Sequence, residues 1–290
     1  MENEIYFDES KNKTADGTLY LVTTPIGNLS DITYRAVKVL KEVSFIAAED
    51  TRNTKKLLRY FDISKEVVSY YEHNKVSSGN EIVSRLLAGE SCALVTDAGT
   101  PAISDPGEDL VRLCAENNIP VTAAPGVSAA ITALTLSALD TRKFVFEGFL
   151  PVQKSERSER LDSIKNEYRT LILYEAPHKL CKTLDDLYKS LGDRKISLCR
   201  ELTKLNEEVI RTTVSLAIEY YKNHEPRGEY VLILEGCNDN KCKQSFWDNM
   251  TISEHVDHYI ASGMAKNDAI KAAAKDRGVP KNVVYNEYVK

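Results

Sequence analysis

No apolar run in this 290-residue chain approaches the roughly 18 residues needed to cross a bilayer. The start, Met1 to Asp16, is polar and acidic where a signal peptide would be basic and then apolar. Both absences predict a cytoplasmic protein with no membrane partner. A cysteine framework is lacking too: Cys92, Cys114, Cys181, Cys199, Cys237 and Cys242 are scattered, and four fall in apolar runs where a reduced thiol acts as a small hydrophobe. Cys237 and Cys242 are close, but C-x4-C without a second pair or a histidine is poor zinc spacing, so neither disulfides nor a metal is expected. Positive charge is not in excess. A net charge of −5 excludes a protein coated in positive charge, as a nonspecific nucleic-acid binder would be, so RNA would be met by local patches. One such patch is Arg52, Lys55, Lys56 and Arg59, with no acid among them.

What is present is a soluble globular composition, 42% hydrophobic and 28% charged, long enough for two domains and a small appendage. From Thr18 to about Asp140, strand-like and helix-like segments alternate. Leu19–Val22 reads as strand, Asp31–Val43 as helix with Ser30 or Asp31 as N-cap, Phe45–Ala48 as strand and Thr54–Tyr60 as helix. Val67–Tyr71, Cys92–Thr96 and Val121–Ala124 follow as strands, and Asn80–Ala88, Glu108–Asn117 and Ser128–Leu139 as helices. This rhythm predicts a mostly parallel sheet covered by helices. After the strand Phe144–Phe149, the polar stretch Gln153–Arg160 interrupts the pattern and marks a domain boundary. The second run, with strands at Leu171–Tyr174, Ile196–Cys199, Val209–Thr213 and Tyr230–Leu234, reads as mixed with antiparallel pairing. The expected architecture is an α/β chain: a polar tail over 1–17, α/β domains over 18–150 and 151–236, a linker over 237–250 and a helix-turn-helix-like unit over 251–290. That last unit, nearly balanced in charge, reads as a packing or dimer-stabilising appendage or as an RNA contact.

Three small-residue loops end strands of the first domain: Thr23 to Asn28, Val95 to Gly107, and Ala124 to Ala130. Ligands of α/β sheets bind at such strand ends. Gly99 allows close approach to the backbone, Pro101 and Pro106 stiffen the loop, and Asp97 and Asp105 can orient hydroxyl or amine groups, although Asp105 before Pro106 also reads as a helix cap. Neither G-x-G-x-x-G nor G-x-x-x-x-G-K-[ST] occurs, so no dinucleotide or triphosphate cradle is expected; the ligand should be held by backbone and small side chains. Glu49-Asp50-Thr51-Arg52 admits two readings, an acid beside a nucleic-acid-contacting arginine or a helix start with acidic caps.

The loop DAGTPxIxDPG, with TPIGN, AAEDTR, YEAPHK (Tyr174 to Lys179) and RELTK (Arg200 to Lys204) in consistent order from about Thr18 to Gly236, resembles the ribosomal RNA small subunit methyltransferase I family of the tetrapyrrole methylase superfamily. The resemblance implies a cleft between two α/β domains holding S-adenosyl-L-methionine, a homodimer, and methylation of the 2′-oxygen of a cytidine in the decoding region of 16S rRNA in the small ribosomal subunit. It carries cofactor binding onto Pro25, Asp97, Ala98, Gly99, Thr100, Ile103, Ser128, Ala129, Tyr174 and Glu175. RNA contact falls on Arg52, Lys55, Lys56, Arg59, Lys179, Arg200 and Lys204. Lys179 departs from the arginine the family often has, losing a planar fork, and Arg200 and Lys204 could instead pair with acids such as Glu201 and Glu207. A sulfonium is already an activated methyl donor, so positioning supplies much of the acceleration. A base need only be modest; Glu49, Asp50 and Glu147, with His73 and Glu201 behind them, are the candidates. Gly99→Val is expected to abolish cofactor binding with the fold largely intact. Competing readings are methylation of a tetrapyrrole or another small molecule, and a ribosome-associated RNA-binding module without chemistry.

Overall fold

The computed structural model describes residues 13–237, 247 and 250–289. Two compact units divide at Gly236. The first contains two sheets. Strands β1 (Leu19–Val22), β2 (Phe45–Ala48), β3 (Glu66–Ser69), β4 (Cys92–Val95) and β5 (Val121–Ala124) form an all-parallel sheet in the order β3-β2-β4-β1-β5. Alternation along each strand splits its side chains between two faces. Helices α1 (Tyr34–Glu42) and α2 (Thr51–Tyr60) cover the face of Val22, Ile46, Ala48 and Val95. Helices α3 (Lys75–Leu87) and α4 (Gly107–Glu116) cover the face of Leu19, Phe45, Cys92 and Leu94. Such side chains, wholly removed from water, contribute about 1.5–3 kcal/mol each.

The second sheet runs β6-β7-β10-β8-β9, from Phe144–Phe149, Thr170–Glu175, Lys195–Arg200, Glu208–Thr213 and Tyr230–Leu234 for β6 to β10. Only β6 and β7 pair in parallel; the antiparallel pairing expected from sequence holds for the rest. Helix α5 (Ala129–Leu136) follows β5 in the chain but packs on this second sheet, through Ala130, Ala133 and Leu134 against Ile172, Val231 and Ile233. Helices α6 (Lys154–Ser163), α7 (Pro177–Leu191) and α8 (Val214–Tyr221) fill the opposite face.

Several expectations are corrected. Strand β6, assigned above to the first domain, pairs with β7 of the second sheet, and both sheets belong to one compact unit. Gln153–Arg160 is not an interruption: most of it lies in α6, which buries Arg157 and Leu161. The helix expected from Asp31 begins at Tyr34, because Thr33 caps it by accepting the Ala36 amide while Leu29–Asp31 makes its own 3-10 turn capped by Asn28. The helix expected to reach Leu139 stops at Leu136, and Ala138 is left-handed (φ 60°). Cys92, Cys114 and Cys199 are buried free thiols and Cys181 an exposed one, but Cys237 is disulfide-bonded, against expectation. Cys242, most of the expected tail and most of the expected linker lie outside the described residues.

The second unit carries α9 (Ile252–Ala261), α10 (Lys266–Arg277) and α11 (Lys281–Val289). A reciprocal capping box between Thr251 and Glu254 starts it, left-handed Gly278 ends α10, and Val256, Ile270, Ala273 and Val284 form its core.

Candidate functional site

Strands β1 and β2 lead into helices on one face of the parallel sheet, while β4, which lies between them, leads into α4 on the other. The chain therefore parts on both sides of the β4 end, where open α/β sheets bind ligands. Thr96 to Thr100 lie at that point. The Thr24 and Gly99 amides each donate to the other's carbonyl, at 2.9 and 3.0 Å, and the Thr24 hydroxyl donates to the Thr96 carbonyl at 3.1 Å. Thr100 Oγ1 lies 3.4 Å from Thr23 Oγ1 and 3.5 Å from the Val127 carbonyl, so it ties together the loops after β1, β4 and β5.

Gly99 has φ +85°, a conformation that a branched residue adopts only with strain. That corrects the Gly99→Val expectation: valine would strain the loop itself, so lost binding would not isolate the ligand's space. The same loop holds Ala102 and Ser104 left-handed (φ 67° and 62°), fixed by Asp105, whose carboxylate accepts the Ala102 and Gly107 amides at 2.9 and 2.7 Å. Asp105 is thus a capping group, and burial pushes its pKa up.

The second lobe reaches this edge. A Cβ at Gly27 would overlap the Lys204 side chain, and one at Gly148 would stand 3.1 Å from Ser104 Oγ. Tyr174, packed edge-to-face on Phe146 and Phe149, has its hydroxyl hydrogen-bonded by the Ala130 backbone in the first turn of α5. Ser128 and Ala129 therefore share a neighbourhood with Tyr174. Ser128 occupies the N-cap position of α5 without a side-chain capping bond. Glu175 does not share that role: its buried carboxylate accepts the Ala176 amide and the Thr183 hydroxyl, and Arg157 donates to Thr183 Oγ1 and to Asp186, both at 2.7 Å. Pro25 and Asp97 line a cleft, while Ala98 and Ile103 are exposed on the loop.

That cleft, about 330 Å³, lies between the β1 loop (Thr24, Pro25, Gly27, Leu29), the β4 end (Thr96, Asp97) and one face of α2 (Asn53, Lys56, Leu57, Tyr60). Asn53, Leu29 and Tyr60 were missed in the sequence. The spacing 53, 56, 57, 60 is one helix face and was the available signal.

Carboxylates cluster at the rim. Burial, then the Asp97 charge, raises the Glu49 pKa; the Thr96 hydroxyl donates to Glu49 at 3.3 Å. Burial, then the Asp50 charge, raises that of Asp97, which accepts from the Asp50 backbone and the Asn53 side chain. Asp50 differs: it caps α2 by accepting the Arg52 and Asn53 amides and pairs with the Arg52 guanidinium at 3.1 Å, which lowers its pKa. The capping reading therefore describes Asp50 and Arg52. Glu147 pairs with Arg160 at 2.6 Å and is almost wholly buried, which removes it from base chemistry. Glu201 is held by Lys204.

Of the basic candidates, Lys55, Lys56 and Arg59 are exposed and make no ion pair among the described residues. Arg200 pairs with Glu208 at 3.0 Å, and Lys204 with Glu201 and Glu229 at 2.9 and 3.0 Å, so neither is held ready for phosphate. Lys179 sits in the first turn of α7, against the helix dipole, so its charge does not serve the helix. Among the described residues no group of His, Cys, Asp and Glu could hold a metal ion, and no helix is long and apolar enough to cross a membrane.

A raised carboxylate opposes folding while charged. Its folded pKa exceeds the unfolded one, so its contribution is most favourable below the unfolded value and is lost as pH rises through the folded value. Glu49→Gln should therefore raise the melting temperature of the unliganded protein at neutral pH and flatten its pH dependence just above the ordinary glutamate range. A thermal melt series from pH 4 to 8 checks this, and an unchanged or lower melting temperature at pH 7 would contradict the crowding of Glu49 by Asp97.

Residues 18–217 match the family of Tetrapyrrole (Corrin/Porphyrin) Methylases, and the chain belongs to that family. It is 50% identical over 273 residues to a Halalkalibacterium halodurans protein named ribosomal RNA small subunit methyltransferase I, covering 94% of each chain. The Bacillus subtilis protein of the same name is 48% identical over 278 residues, covering 95% of each. Within the methylases, the chain is a member of the ribosomal RNA small subunit methyltransferase I family. Uroporphyrin-III C-methyltransferase from Thermus thermophilus, solved with S-adenyl homocysteine, shares the fold at 18% identity with TM-score 0.55, covering 75% of this chain and 97% of that one.

Proposed function

We propose that this protein is an S-adenosylmethionine-dependent methyltransferase of small-subunit ribosomal RNA, acting as a cytoplasmic homodimer on the ribose 2′-oxygen of a cytidine in the decoding region of 16S rRNA. The observation that carries the reading is the cleft at the β4 end, with small-residue loops and the Asp97 carboxylate on one wall and Lys56 and Tyr60 of α2 on the other.

The donor set fits the cofactor. The start of α5, where Ser128 makes no side-chain capping bond, suits a carboxylate. The raised carboxylates Glu49 and Asp97 are relieved by a nearby cationic ligand, and Asp97 also suits ribose hydroxyls. S-adenosylmethionine supplies, when bound, a methyl group already activated on a sulfonium. Ala98, Gly99, Thr100, Ser128, Ala129 and Tyr174 would hold it, Asn53 and Tyr60 would orient the nucleotide, and Lys55, Lys56, Arg59 and Lys179 would hold phosphates. Of the three carboxylates first considered, Glu49 is the base we retain, because its raised pKa suits accepting a proton and its charge is not committed to an arginine. The cationic wall suits an anionic acceptor, as RNA is.

The test is transfer of labelled methyl from S-adenosylmethionine to 30S subunits from cells lacking this activity, with nuclease mapping of the product. Label on the ribose of one cytidine is expected. Cofactor binding without label on 30S would move the acceptor to small molecules, and absence of cofactor binding would leave a module without chemistry.

A further inference from the structure

A second concavity, about 410 Å³, lies beside the first on the α1–α2 face, lined by Ile32, Val37 and Phe61 with Tyr34, Lys38 and Lys41 around them and Glu42 at one side. The two share their walls: the segment with Leu29 in the first cleft continues to Ile32 in the second, and Tyr60 of the first packs edge-to-face on Phe61 of the second at 5.0 Å. Three residues of extended chain span at most about 11 Å, so the two hollows are near neighbours.

Three side chains of this hollow are not held by a close partner. Tyr34 is 98% exposed, so its ring is not there for packing. Lys38 and Lys41 stand one helical turn apart, on the same side of α1 as Tyr34. Lys41 makes no ion pair among the described residues, and Lys38 has only a 4.0 Å contact with Glu42. Helices α1 and α2 together carry Arg35, Lys38, Lys41, Arg52, Lys55, Lys56 and Arg59 against the single acid Glu42, on a chain whose net charge is −5. Such a surface complements a polyanion, and an exposed ring at the edge of an apolar hollow complements an unpaired base.

We propose that this hollow is a second nucleotide subsite: a single-stranded RNA nucleotide near the target stacks its base on Tyr34 while Lys38 and Lys41 take its flanking phosphates. The inference rests on the RNA reading above and extends it, because it makes the substrate an unpaired strand lying along α2 from one hollow to the next. Double-stranded RNA, with its bases stacked on each other, would not fill the hollow.

The test is fluorescence anisotropy with a labelled single-stranded decaribonucleotide over a salt series, beside methylation of 30S subunits and calorimetry with S-adenosylmethionine. Tyr34→Ala should weaken oligonucleotide binding about tenfold and Tyr34→Phe should restore it. Lys38→Ala/Lys41→Ala should lower the slope of log affinity against log salt by about 1.4, or 0.7 for each phosphate no longer neutralised by a lysine. Cofactor affinity should not change in any of them. Variants that match the wild type in affinity and slope, while the wild type methylates 30S, would overturn the subsite and leave the RNA reading standing. A wild type that neither binds the oligonucleotide nor methylates 30S would overturn both. Loss of 30S methylation in the variants with unchanged oligonucleotide affinity, salt slope and cofactor affinity would move the hollow's contact to another part of the 30S subunit and overturn the subsite.

Discussion

Asp97→Ala should weaken S-adenosylmethionine binding by about ten- to a hundredfold, the loss of one hydrogen bond to a charged group at about 1.5–3 kcal/mol. The expectation follows from its position at the end of β4, on the wall of the cleft, with burial and the Asp50 charge raising its pKa. The same crowding sets the sign of a second readout. Removing a carboxylate that the unliganded fold holds at a disadvantage should leave the melting temperature unchanged or raise it, whereas a residue kept for the fold would lower it. Calorimetric titration with cofactor and a thermal melt of the same preparation decide the matter. Wild-type affinity would move the cofactor away from the β4 end, and a lower melting temperature would make Asp97 a structural group.

Arg157→Ala should cost about 3 kcal/mol of stability, the low end for breaking a buried ion pair because Asp186 keeps some contact with water. Arg157 is 7% exposed and joins the Pro151 carbonyl, Thr183 and Asp186, and through Thr183 it steadies the Glu175 carboxylate at the start of α7. For a unit of this size the loss should lower the melting temperature by about 6–12 °C. The Asp186→Ala single variant and the double variant complete a cycle, in which the double variant should cost less than the sum of the two singles. Additive losses would show that the pair does not act as a unit.

Arg157 also marks where the sequence stopped being legible. The strand and helix rhythm of the first domain was readable because its buried strands are short apolar runs and its helices repeat at 3.6 residues. Helix α6 was hidden because the group that anchors it is a guanidinium, and a polar residue gives no sign of burial until its partner Thr183, 26 positions away, is known. Strand β6 was placed with the wrong sheet for a related reason: α5 leaves β5 and crosses onto the second sheet, a change of lobe that no local pattern records. At the site, the loop from Asp97 to Thr100 could be read from its small residues. The pairing of Lys204 with Glu201 could be read as well, because the two lie three residues apart; the fates of Arg200 and Glu175 could not, because each is decided by a partner brought in by folding, Glu208 and Thr183. The α2 face stood between these cases, visible in its spacing yet without meaning until the β4 end was placed opposite it.

The parting of the chain on both sides of β4 has one more consequence. Most of the groups proposed to hold the methyl donor sit on strand-end loops and at the start of α5, with Tyr174 from β7, whereas all of those proposed to hold the acceptor except Lys179 sit on the outer surfaces of α1 and α2, whose inner surfaces complete the core. Donor and acceptor are therefore mounted on separate hardware. Repainting two helix exteriors would retarget such an enzyme while its donor handling stayed as it was, and this offers a physical route by which one scaffold acquires very different acceptors.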